Sequence, residues 1–133
     1  MRLKIFFVGI AALMLTAPLL AAATPEEEIA KALAGRTAGP STDCIIQHEI
    51  SSTQIVARTA ILYEMRNGTI YLNRPETGAN FLHRDYALVT DTHSNQLCNI
   101  DIVRLLDPVA RFESGSVGLG RFVPYPRPPR APR

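Results

Sequence analysis

The sequence predicts a small, mainly β domain, an antiparallel barrel or sandwich preceded by one short helix. Three observations lead there. Short runs rich in β-branched and aromatic residues recur between Cys44 and Tyr125, turn residues separate them at short intervals, and Asn67-Gly68 marks a hairpin. At 133 residues the chain has room for one domain.

The helix comes first, in "TPEEEIAKALAG". Thr24 caps it, Pro25 suits the first turn, and Glu26, Glu27 and Glu28 complement the positive end of its dipole. Gly35 ends it in a left-handed conformation, and Ile29 and Leu33 form a narrow apolar stripe. So short a helix is marginal unless it docks. Residues 24–43 therefore read as helix and linker, and the β domain as residues 44–125.

Within that domain Cys44, Ile46, His48 and Ile50 alternate with Ile45, Gln47 and Glu49, which predicts one strand with His48 on an apolar face. "STQIVA" predicts a second, turning tightly near Ala57-Arg58 into the hairpin. Asn67-Gly68 suits a two-residue type I′ turn, which sets Met65 opposite Ile70, Tyr63 opposite Leu72 and Glu64 opposite Tyr71. In that register one hairpin face is apolar and the other mixed. Asn67-Gly68-Thr69 also matches a glycosylation sequon, which the turn explains without a glycan.

Beyond the hairpin, "NRPETGAN" reads as a loop, "YALVTDT" as a strand and "HSNQ" as a turn. "LCNIDIVRLLD" predicts a strand or strand pair ended by Pro108. "SGSVGLGRFVPY" predicts a glycine-loosened last strand with bulges or close backbone approach. Residues 126–133 belong to a Pro/Arg-rich tail, extended and solvated because proline lacks the ladder donor.

Residues 1–23 have the layout of a secretory signal peptide. Arg2 and Lys4 precede an uncharged apolar run, Pro18 breaks it, and Ala21 and Ala23 supply the small residues of a cleavage site. The predicted mature chain starts at Thr24, is long enough to bury roughly two thirds of its unfolded surface, and keeps no membrane span. Losing Arg2 and Lys4 cancels the net charge of +2. A neutral chain has little drive toward nucleic acid, whose affinity comes largely from neutralised phosphates. Outside the cytoplasm, a lone pair of cysteines, Cys44 and Cys98, reads as a disulfide.

Little else in the sequence points to chemistry. His83, Asp85, Asp91 and His93 share a face if "HRDYALVTDTH" is one strand, but the two histidines then lie about 33 Å apart, too far for one metal. Ser51, Ser52 and Ser94 have no nucleophile elbow around them. Gly115-Ser116-Val117-Gly118 lacks a phosphate-loop lysine. No cofactor or metal is expected. The candidate binding surface is the mixed hairpin face with Glu64, Arg66, Tyr71 and Asn73, and the arginines of the tail offer only weak attraction to anionic polymers.

Between Cys44 and Tyr125, the Cys-Ile start, spaced isoleucines, "TAILYE", a turn with "IYLNRP", a later "LVT", then "LC" and "LLDP" resemble a family of small exported proteins of Gram-negative bacteria, of unknown function. The family pattern has a glycine before the aspartate that follows the second cysteine, whereas Ile100 precedes Asp101 here. The resemblance implies secretion and a cysteine pair, with no activity and no catalytic residue. The reading is an exported, disulfide-stabilised β-module, periplasmic or secreted, that binds or assists an unknown envelope component or protein. The alternative is a small periplasmic hydrolase whose site assembles in space.

Overall fold

The computed structural model describes residues 17–133, so most of the predicted leader lies outside the described residues. Residues 17–24 have no regular structure and are exposed. Among the described residues no helix is long and apolar enough to cross a membrane.

The chain is mainly β. Helix α1 (Pro25–Ala32) is followed by β1 (Cys44–Ile46), β2 (Ile50–Val56), β3 (Ala60–Met65), β4 (Ile70–Asn73) and β5 (Ala87–Thr90). Strands β6 (Gln96–Cys98), β7 (Ile102–Asp107), β8 (Phe112–Gly118) and β9 (Phe122–Tyr125) complete it. They form three antiparallel sheets: β2-β3-β4-β9, β5-β7-β8 and the pair β1-β6. None closes on itself, so of the two predicted architectures the sandwich fits and the barrel does not.

The four-stranded sheet is the central layer and is covered on both sides. One face packs Val56, Ala60, Leu62 and Leu72 against Ile29 and Leu33 of α1. The other packs Ile55, Ile61, Tyr63 and Phe122 against Val103 and Leu105 of β7 and Val117 of β8, with Ile45 and Leu97 from the β1-β6 pair. Side chains alternate across a strand, so one strand can serve both cores.

Helix α1 has the ends the sequence predicts. Thr24 accepts from the Glu27 N–H while the Glu27 carboxylate accepts from the Thr24 N–H, a reciprocal capping box. Gly35 has φ +73°, and Pro25 opens the first turn. The helix is docked through Ile29 and Leu33 and is clamped by charge. Arg74 donates twice to Glu26 (3.0 and 2.9 Å), and Arg84 donates to Glu28 at 2.8 Å.

The hairpin is real, but its turn differs from the predicted one. Ile61 pairs with Asn73, Leu62 with Leu72, Tyr63 with Tyr71 and Glu64 with Ile70, one residue away from the predicted register. The connection is a three-residue loop. The Gly68 N–H donates to the Met65 carbonyl (2.9 Å) and the Met65 N–H to the Thr69 carbonyl (2.8 Å). Only Gly68 takes positive φ (+85°), as in a type I turn closed by a glycine bulge, whereas a type I′ turn needs positive φ at Asn67 too. Alternation selects a register when one face meets water. Here both faces are covered, so both registers bury apolar residues.

Two strand predictions also change. The run from Cys44 to Ile50 is broken by a single 3₁₀ turn at Gln47–Glu49; Ile45 is buried and His48 is exposed, the reverse of the predicted faces. Ser51 is bulged out of the β2-β3 ladder, and its hydroxyl donates to the Glu64 carbonyl at 3.0 Å. The predicted last strand is two strands in different sheets, β8 and β9. They part at Gly118–Gly120, where a Cβ on Gly120 would collide with the Arg74 carbonyl. The predicted bulge is present: the β7-β8 register skips Ser114, beside Gly115 with φ +145°.

A candidate binding cleft

The disulfide joins Cys44 to Cys98, which are directly opposed in the β1-β6 ladder with Cα atoms 4.0 Å apart. Next to it the Asp101 carboxylate accepts from the Cys98 N–H (2.6 Å), closing the turn that carries exposed Ile100. The staple thus fixes the lip of a two-stranded sheet whose inner residues, Ile45 and Leu97, enter the main core.

Between this lip and the hairpin tip lies a cleft of about 400 Å³. Ile45, Met65, Tyr71 and Pro124 give it apolar walls, and Thr42, Glu49 and Asn67 bring polar groups. Each segment is positioned by backbone bonds. Thr42 exchanges both ladder bonds with Phe122 (2.8 and 2.9 Å), and the Gly39 N–H donates to the Pro124 carbonyl at 2.8 Å. The Arg66 N–H donates to the Glu49 carbonyl (2.8 Å), joining the 3₁₀ turn to the hairpin. Arg36 donates to the carbonyls of Gly68 (2.7 Å) and Tyr125 (3.1 Å), fixing the loop against β9. Glu49 is the charged residue of the lining, and its side chain is half-exposed.

A larger cleft of about 700 Å³ runs beside α1, with Ala22 and Ala23 in its wall. Those two residues belong to the predicted leader. The smaller cleft is built from residues 40–124 alone.

The predicted recognition surface does not form as one face. Tyr71 lies on the inner face, half-buried with its ring edge-on to Phe122 (centroids 6.4 Å apart). Asn73 is fully buried, its amide exchanging hydrogen bonds with Gly120 (2.7 and 3.0 Å). Glu64 is exposed on the opposite face beside Ser52, and Arg66 is in the turn. Of the four, Tyr71 belongs to the cleft.

Among the described residues no hydrogen bond joins a histidine to a serine. His83 faces Asp85 at 3.9 Å in an exposed loop, and only Ala87–Thr90 of the segment from His83 to His93 is strand. No group of three metal-binding side chains occurs among the described residues. Ser51, Ser52 and Ser94 donate to the Glu64 carbonyl, the Glu64 carboxylate and the Gln96 carbonyl. His48 pairs with its neighbour Glu49 (3.3 Å).

Compared with protein-family models, curated proteins and solved structures, the chain matches none of them.

Proposed function

We propose that this protein is an exported β-module of the cell envelope that binds its partner in the cleft between the disulfide lip and the hairpin tip. The carrying observation is the composition of that cleft: apolar walls from Ile45, Met65, Tyr71 and Pro124 with a single carboxylate, Glu49. Clefts with apolar walls and a few placed polar groups are the usual form of a ligand site. An apolar, extended segment carrying a basic or hydrogen-bond-donating group fits it best. The signal-peptide layout, the disulfide and the resemblance to a family of small exported proteins support the location.

The test is chemical-shift mapping of isotope-labelled protein, purified from the periplasm, against fractionated envelope extract. Shifts gathered around Ile45, Met65 and Tyr71, and lost in Ile46→Arg, are the expected outcome. Ile46 lines the cleft and is 43% exposed, so that change blocks the opening without entering the core. Shifts elsewhere, or unchanged in Ile46→Arg, would overturn the reading.

A further inference from the structure

Helix α1 begins at the predicted cleavage point, and its cap is made by the nitrogen that cleavage would release. The Thr24 backbone N–H donates to Glu27 Oε2 at 2.8 Å, and the Glu27 N–H donates back to Thr24 Oγ at 3.2 Å. Residues 17–23 are exposed and without regular structure, which leaves the Ala23–Thr24 peptide bond open to a protease.

We propose that hydrolysis of this bond creates a structural amino terminus, in which the Thr24 α-ammonium pairs with Glu27 and secures the first turn of α1. The inference rests on the export reading above. Water is the co-reactant: the C–N bond breaks, the hydroxyl goes to the Ala23 carbonyl, and the Thr24 nitrogen gains a proton and takes up another at neutral pH. A neutral donor becomes a cation at the same place, already in contact with a carboxylate.

The surrounding charges favour that cation. On α1 the first turn carries Glu26, Glu27 and Glu28, with Lys31 in the last turn. From the neighbouring elements, Arg74 after β4 is committed to Glu26, Arg84 before β5 to Glu28, and Gln54 of β2 donates to Glu28 at 3.0 Å. Among the described residues no cation lies within ion-pair distance of Glu27. The helix dipole opposes a positive charge at this end. A charge-assisted bond to Glu27, the acid of the first turn that no arginine engages, outweighs it, because charge-assisted bonds are about twice as strong as neutral ones. Maturation thereby strengthens the first turn of a helix already docked through Ile29 and Leu33. The same cut removes Ala22 and Ala23 from the wall of the larger cleft.

The experiment uses protein exported by its own leader and purified from the periplasm. N-terminal sequencing comes first. Retained Met1 sinks the export reading; a start elsewhere than Thr24 sinks the cap alone. With Thr24 first, the α-amino group is titrated by NMR in wild type and Glu27→Gln. The expected midpoint lies about half a unit or more above the ordinary 7.7–8.0 and returns to that range in Glu27→Gln. The rise is modest because the pair is exposed. A raised folded-state value means the stabilisation is full below about pH 8 and fades as pH climbs through the folded midpoint. An ordinary midpoint in wild type, or equal midpoints in the two proteins, overturns the proposal.

Discussion

Tyr63 stands directly across the ladder from Tyr71, and both rings make T-shaped contacts with Phe122, at centroid distances of 5.8 and 6.4 Å. This triad joins β3, β4 and β9 on the inner face of the central sheet. Edge-on aromatic pairs add about 0.5–1.5 kcal/mol to the area they bury.

The triad contains a flaw that can be measured. The Tyr63 hydroxyl is buried without a hydrogen-bond partner, and burial pushes its ionisation far above the ordinary tyrosine range. An orphaned buried hydroxyl costs roughly 1–3 kcal/mol, so Tyr63→Phe should stabilise the fold by about 1 kcal/mol in urea denaturation. The raised folded-state pKa also sets a sign. The contribution is full below the unfolded value of about 10 and is lost as pH rises past it. Wild type should therefore lose stability above about pH 10 more steeply than Tyr63→Phe; parallel curves would remove Tyr63 as the cause.

Reduction of Cys44–Cys98 should be strongly destabilising. The bond closes a loop with a sequence separation of 54, worth about 4 kcal/mol in the loop-entropy model. The Cys44→Ser, Cys98→Ser double variant should melt at least about 10 °C below wild type. An unchanged melting temperature would mean the ladder and core hold β1 and β6 without it.

Gly68→Val should cost more than about 1 kcal/mol, because φ +85° is poorly tolerated by a β-branched residue. The side chain it would meet is the flexible end of Arg127, so backbone strain is the decisive term. Thr69→Val, beside it, should stay within about 0.5 kcal/mol. Thermal melts of the two variants separate these effects, and similar losses in both would refute the turn assignment.

The Arg74 hydrogen bonds hold the Glu26 carboxyl below its ordinary range. The clamp contributes above the unfolded value of about 4.3 and is lost as pH falls through the lowered one. NMR titration should find the Glu26 midpoint rising toward the ordinary value in Arg74→Met, with a smaller difference at high salt. Equal midpoints would show that the pair does not form in solution.

What was legible in the sequence was local chemistry. Thr24, Pro25, Glu27 and Gly35 act within one or two turns of chain, so the helix and its ends can be read directly. The cysteines were legible because two of them, in a chain whose start reads as a signal peptide, have few alternatives. The hairpin register was not, because Leu62 and Leu72 bury under α1 while Tyr63 and Tyr71 bury under the other sheets, and each register places apolar residues on both faces. The split between β8 and β9 follows from the approach of Gly120 to Arg74, residues distant in the chain. The cleft is equally non-local: Pro40 reads as linker and Pro124 as part of the last strand, and only the bridge from Thr42 to Phe122 brings them together.

Strand β9 holds Phe122, fully buried in the main core, yet it follows β3 and β4 in the chain. A polypeptide made from its amino end has β3 and β4 in hand early but lacks the ring that fills the space beside Tyr63. Closure of this core must therefore wait until residues 122–125 are in place.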